Sequence, residues 1–181
     1  MLELRKTKKE IDPKDFLGKT PDLNHVGDFV ECDTLVTDEA GKPLILYIKL
    51  RESTSRLAID NPPAHKELCA FGSVMMPYYQ QYFPEVLKQH EEDARAKIKD
   101  DWRILGTPFT SGIVNYNSAI KYHFDAGNIK DCASNMILLT KDVEGGDFIV
   151  PEYDIAFKNK TDYLFIFDGQ GILHGVTPIR S

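Results

Sequence analysis

Cysteine is scarce in this chain: Cys32, Cys69 and Cys132 are the three in 181 residues. They have no Cys-x-x-Cys spacing and cannot all pair, which argues against a disulfide framework and for a reducing compartment, cytoplasmic or, in a eukaryote, nuclear. Long apolar runs are missing as well. None approaches the roughly 20 residues that cross a bilayer, and the first ten residues lack the apolar centre of a secretory leader. A soluble protein with no membrane partner is therefore expected. Nor is there a surplus of positive charge: 22 basic residues face 28 acidic ones, for a net charge of −6. The imbalance is even, with 16 basic against 19 acidic residues over 1–110 and 6 against 9 over 111–181. Without a basic lobe, any contact with a polyanion has to come from a local groove.

What the chain does have is 42% hydrophobic residues and no internal repeat. At this length that predicts one domain, 1–181, with a sizeable core. Ten prolines, twelve glycines and 10% aromatics, with short apolar runs between turn residues, predict a β-rich (α+β) fold. Residues 1–28 read as an irregular lead-in. Residues 29–36 and 43–50 read as a hairpin closed by the turn residues 38–41 and added to one sheet. Residues 64–76 and 77–99 carry helical spacing, broken at Pro84, and are expected to buttress a sheet face. The aromatic cluster Tyr78, Tyr79, Tyr82 and Phe83 within them fits a helical core better than a stacking platform for bases. From Trp102 the pattern turns to strands, expected over 111–116, 118–125, 135–140, 148–153, 154–158, 163–167 and 172–179. About seven strands with short Gly-, Asn- and Asp-rich connections suggest a double-sheet jelly roll. In this reading 1–106 supplies a hairpin and helical support, and 107–181 is the β core.

Within that core, Tyr122-His123-Phe124-Asp125 and Ile172-Leu173-His174-Gly175 stand out. On a strand, residues two apart share a face, so His123 and Asp125 enter the same space. With 5 histidines and 17 aspartates in the chain, chance supplies about half a His-x-Asp pair, so the spacing decides little by itself. Context decides more. His65-Lys66-Glu67 and His90-Glu91-Glu92 have the same spacing but fall in helical segments, where residues two apart diverge by roughly 200°. His174, 51 residues after His123, follows the apolar run Tyr163 to Phe167 and can complete two imidazoles and one carboxylate. That set holds iron(II) on one face and leaves the opposite positions open, as an active site requires.

The ordered set Asn115-Tyr116-Asn117, His123-x-Asp125, Gly145-Gly146-Asp147 running to Tyr153, Phe167-x-Gly169 and His174-Gly175-Val176-Thr177-Pro178 resembles the iron(II)/2-oxoglutarate-dependent dioxygenases, and among them the TET/JBP-type branch. The resemblance covers about residues 107–181. It implies a double-stranded β-helix in which His123, Asp125 and His174 are the metal ligands and catalytic centre. It also implies 2-oxoglutarate and O2 as co-substrates, with decarboxylation to succinate driving attack on a substrate C–H bond. The far carboxylate of 2-oxoglutarate needs a cation, best a guanidinium, and Arg180 is the one arginine after His174. In many relatives that arginine stands farther along, on one more strand. By the same resemblance Asn115 lines the 2-oxoglutarate pocket and Asn128 contacts the target base. The implied reaction is hydroxylation of the 5-methyl group of a pyrimidine, in DNA or in a nucleotide. Two other readings stand beside it: the same iron chemistry on a protein side chain or small metabolite, and a non-catalytic jelly-roll binding module.

Overall fold

The computed structural model describes residues 2–5, 8–49, 70, 72–100, 103–104, 106–110 and 112–180. The chain divides into two compact units, 1–50 with 115–181, and 51–114. The expected helix start at 64–69 and the His65 pair lie outside the described residues.

The first unit is built from strands β1 (Glu3–Arg5), β2 (Asp28–Val30), β3 (Thr34–Thr37), β4 (Pro43–Lys49), β5 (Ile120–His123), β6 (Ser134–Leu138), β7 (Glu144–Gly145), β8 (Phe148–Val150), β9 (Ile155–Phe157), β10 (Tyr163–Phe167), β11 (His174–Val176) and β12 (Ile179–Arg180). One mixed sheet has the order β1-β3-β4-β10-β6, a second β2-β9-β8-β11-β5, and β12 pairs with β7 in a two-stranded ribbon. This is the β-rich double-sheet architecture of a double-stranded β-helix. β10 lies between β4 and β6, antiparallel to both, and all five of its residues are buried. That explains why its sequence, Tyr-Leu-Phe-Ile-Phe, does not alternate with polar residues.

Between the sheets, alternate residues of both interdigitate: Tyr47, Phe148, Phe157, Phe165 and Phe167 with Val36, Ile45 and Val150. Each such side chain contributes about 1.5–3 kcal/mol by leaving water. Tyr47 stacks on Tyr163 with ring centroids 4.3 Å apart, and its hydroxyl donates to the Lys158 carbonyl at 2.7 Å.

The outer face of the second sheet carries a smaller cluster, Tyr122, Ile149, Ala156 and Leu173, covered by Ile11, Phe16, Val26 and Phe124. The lead-in is thus a built part of the fold, with a strand and two 3-10 turns, Pro13–Asp15 and Leu23–His25. It is stitched to β5 through Gly18 N–H to the Tyr122 carbonyl (2.9 Å) and Tyr122 N–H to the Lys19 carbonyl (3.0 Å).

Several strand expectations change as well. The segment 29–36 does not form one strand: β2 joins the second sheet and β3 the first, because the polar Glu31-Cys32-Asp33 bend carries the chain across. The hairpin proper is β3–β4, closed at Asp38, whose backbone N–H donates to the Lys42 carbonyl at 3.0 Å. No strand covers 112–116, and the strand expected from 118 begins only at Ile120. Asn117 takes a left-handed backbone (φ 48°), a conformation asparagine tolerates but a strand cannot contain. The segment 172–179 divides into β11 and β12.

In the second unit, helices Met76–Tyr82 and Pro84–Lys97 match the predicted break at Pro84. Met75, Tyr79, Phe83, Leu87, His90 and Ala94 are buried there, so Tyr79 and Phe83 serve as core, while Tyr78 and Tyr82 are half-buried. Cys32 and Cys132 are not joined in a disulfide, and no helix among the described residues is long and apolar enough to cross a membrane.

Candidate metal centre

β5 and β11 are neighbours in the second sheet, with His123 directly opposite His174. Side-chain alternation assigns their faces. Tyr122 and Phe124 pack into the outer cluster with Leu173, so His123 and His174 point the other way, toward the mouth of the sandwich. Gly175 again faces the lead-in, where a Cβ would press on Pro21 Cγ and the Ile120 carbonyl. His174 is wedged between Phe148 and Phe167, ring centroids 5.4 and 4.9 Å away. Asp125 lies two residues beyond the end of β5, held in line by its backbone N–H, which donates to the Gly169 carbonyl at 2.8 Å.

The three side chains converge. The two imidazole rings are 4.4 Å apart between centroids. Asp125 Oδ1 is 3.3 Å from His123 Nε2 and 3.5 Å from His174 Nε2. Two ligand atoms at right angles around an ion, each about 2.1 Å from it, are about 3 Å apart, so the separations suit a shared cation. Each residue offers one ligand atom, all within 4.8 Å of one another, and among the described residues no other group of His, Cys, Asp and Glu does so.

Protonation is set by the backbone. His123 Nδ1 lies 2.8 Å from the Lys121 carbonyl and His174 Nδ1 2.9 Å from the Ile172 carbonyl. A carbonyl only accepts, so each Nδ1 carries a proton; Nε2 faces Asp125, to which it donates while the imidazole is charged, and without that proton it presents a lone pair to the centre. On Asp125 the other oxygen, Oδ2, is engaged by the Ser134 hydroxyl at 2.9 Å and the Asn128 amide at 3.1 Å. Burial works to raise the Asp125 pKa, but the hydrogen bond and charge of His174, the Ser134 hydroxyl and the charge of His123 outweigh it. They hold the carboxyl below its usual range. Two neutral imidazoles and one ionised carboxylate oxygen are the donors an iron(II) facial triad uses, so the residues fit the metal.

Exposure is graded across the site. The His174 side chain is 5% exposed, Asp125 26% and His123 38%. The site is closed beneath His174 and open on the His123 side.

The remaining expected residues are placed as follows. Asn128 sits in the turn after Asp125 and donates its amide to Asp125 Oδ2 and Ser134 Oγ. Asn115, expected on an inward-facing strand, is exposed on a segment without regular structure, and none of the triad's hydrogen bonds comes from it. Arg180 is exposed on β12, opposite Glu144. Sequence reasoning misses Ser134 and Gln170. Ser134 is nine residues from Asp125 on another strand, and no local spacing marks it.

No curated protein matches the chain. The Tet_JBP family, described as the oxygenase domain of the 2OGFeDO superfamily, matches residues 49–181. That span takes in the helical unit, which carries none of the motifs of the β core, together with the whole triad. The superfamily uses iron(II) and 2-oxoglutarate, and the His123, Asp125 and His174 donors are the set such a cofactor pair needs. The chain belongs to the Tet_JBP family of the 2OGFeDO superfamily, and is a dioxygenase dependent on iron(II) and 2-oxoglutarate.

Proposed function

We propose that this dioxygenase hydroxylates the 5-methyl group of a pyrimidine, in DNA or in a nucleotide. The observation that carries the reading is the convergence of His123, Asp125 and His174 in a chain of the Tet_JBP family. In this reading His123 Nε2, His174 Nε2 and Asp125 Oδ1 hold the iron(II). When bound, iron(II) and 2-oxoglutarate would activate O2, one oxygen atom replacing a C–H hydrogen by hydroxyl and the other converting the keto acid to succinate and CO2.

The chain's own residues do the rest. Phe148 and Phe167 exclude water behind His174. The exposed side of His123 admits the substrate. Arg180 receives the far carboxylate of 2-oxoglutarate through its guanidinium, and Asn115 borders the same pocket. Asn128 has its amide nitrogen committed to Asp125 and Ser134, and its amide oxygen makes no hydrogen bond to the described residues. That oxygen is free to accept from a donor on the base. A base in duplex DNA has to be extruded to reach the centre.

The acidic balance, net −6, favours a second reading in which the same chemistry acts on a protein side chain or small metabolite that needs no basic surface. Mass spectrometry separates the two. DNA containing 5-methylcytosine and thymine, and the free nucleotides, are incubated aerobically with the enzyme, iron(II) and 2-oxoglutarate. Gain of one oxygen on a methylpyrimidine is expected. Unchanged methylpyrimidines while succinate accumulates would move the assignment to the second reading.

A further inference from the structure

The Asp125 carboxylate is divided between two tasks. Oδ1 faces the two imidazoles, while Oδ2 accepts from the Ser134 hydroxyl (2.9 Å) and the Asn128 amide (3.1 Å). Asn128 and Ser134 also hydrogen-bond each other. The Asn128 amide thereby ties the turn after Asp125 to the first residue of β6.

A second turn closes the arrangement. The Gly169 carbonyl accepts from the Asp125 N–H at 2.8 Å. Gln170 Nε2 donates to the Asn128 carbonyl, linking the two turns through their tips. Gly169 is also packed against the carboxylate so closely that a Cβ there would collide with Asp125 Oδ2 and Ser134 Oγ. Its backbone is not in the left-handed region, so space alone demands glycine.

We infer that Ser134 and Asn128 are positioning residues that hold Asp125 as a one-oxygen ligand, with Gly169 and Gln170 bracing them. The inference rests on the metal-centre reading above. Its consequence concerns coordination number. A carboxylate free to turn can bring both oxygens onto a cation. Doing so here fills one of the three positions that the keto acid, which chelates through two atoms, and oxygen require. The clamp keeps Oδ2 occupied by neutral donors and away from the ion. It therefore supports metal affinity, by fixing the ligand's orientation, and keeps room for the co-substrate.

The test uses the full chain and cobalt(II) as an anaerobic probe. Its visible spectrum reports coordination, and a second titration adds 2-oxoglutarate to the loaded protein. Ser134→Ala and Asn128→Ala are each expected to raise the cobalt(II) Kd about 10–100-fold, change the visible band, and weaken 2-oxoglutarate binding to the metal-loaded protein. Ser134→Thr keeps the hydroxyl and is expected to restore both affinities and the wild-type band. This separates positioning from a general loss of structure. Wild-type affinities and an unaltered band in Ser134→Ala and Asn128→Ala, with binding lost in His174→Ala, would overturn the clamp and leave the metal centre standing. Equal cobalt(II) binding by wild type and His174→Ala would overturn the metal centre and the clamp with it.

Discussion

The two histidines contribute alike to the metal but differently to the fold, and replacing each by alanine separates these contributions. His174 is 5% exposed, lies between Phe148 and Phe167, and satisfies the buried Ile172 carbonyl through Nδ1. His174→Ala leaves a cavity and an unmatched carbonyl. Large-to-small changes at such sites cost about 2–4 kcal/mol, and the lost hydrogen bond adds about 1 kcal/mol. His123 is 38% exposed on the open side. His123→Ala is expected to shift stability by no more than about 1 kcal/mol. At about 2–4 °C per kcal/mol for a chain of this size, metal-free His174→Ala should melt on the order of 10 °C below wild type, and His123→Ala within a few degrees of it. Both should lose the weak visible charge-transfer band that wild type develops when titrated anaerobically with iron(II) and 2-oxoglutarate. Thermal unfolding without metal and the visible titration read the two effects independently. A band surviving in either variant would remove that histidine from the centre. Equal melting temperatures for the two variants would refute the assignment of His174 to the buried face.

Three further outcomes follow from particular contacts. Tyr47→Phe keeps the stacked ring but leaves the Lys158 carbonyl without its donor; a loss of about 1–3 kcal/mol is expected by urea unfolding, and no loss would mean that water replaces the hydroxyl. In the helical unit, burial lowers the His90 pKa, opposed in part by the negative charge of Asp93. The unfolded chain then takes the proton first as pH falls. The His90 contribution to stability is complete above the ordinary histidine pKa of about 6.5 and is lost as pH drops through the lower folded value. A His90→Phe variant should show a shallower decline in stability than wild type between neutral and mildly acidic pH, and parallel curves would refute the proton linkage. Arg180→Ala should raise the 2-oxoglutarate concentration needed for half-maximal turnover at least about tenfold, equivalent to about 1.4 kcal/mol. A wild-type requirement would place the cation elsewhere.

Much of the site is legible in the sequence. His123-x-Asp125 is favoured over the His90 pair because the former lies in strand context and the latter in a helix, and helix Pro84–Lys97 does contain His90. The five apolar residues of β10 coincide with the expected strand because a run buried on both faces announces itself by composition alone. The lead-in is not legible. Its strand β1 is three residues long and draws its pairing from Thr34–Val36, about thirty residues away. Its covering residues Ile11, Phe16 and Val26 show neither helical nor alternating periodicity. The failed strand at 112–116 has suitable residues, Ile113, Val114 and Tyr116, but these are exposed. Propensity favours a strand only where a neighbour supplies hydrogen bonds and cover.

The donors at the centre were present in the sequence: the types of His123, Asp125 and His174, their order, and the period-two spacing that sends His123 and Asp125 to one face. Those depend on side-chain chemistry and local backbone geometry, which a sequence carries directly. Tertiary structure alone decided that β11 lies beside β5 with His174 opposite His123, that Ser134 and Asn128 occupy one oxygen of Asp125, and that Gly169 leaves room for that carboxylate. These contacts join residues up to 51 positions apart in the chain. Their partners are chosen by sheet register and by packing against the aromatic core, and no residue's identity specifies either until the chain has folded.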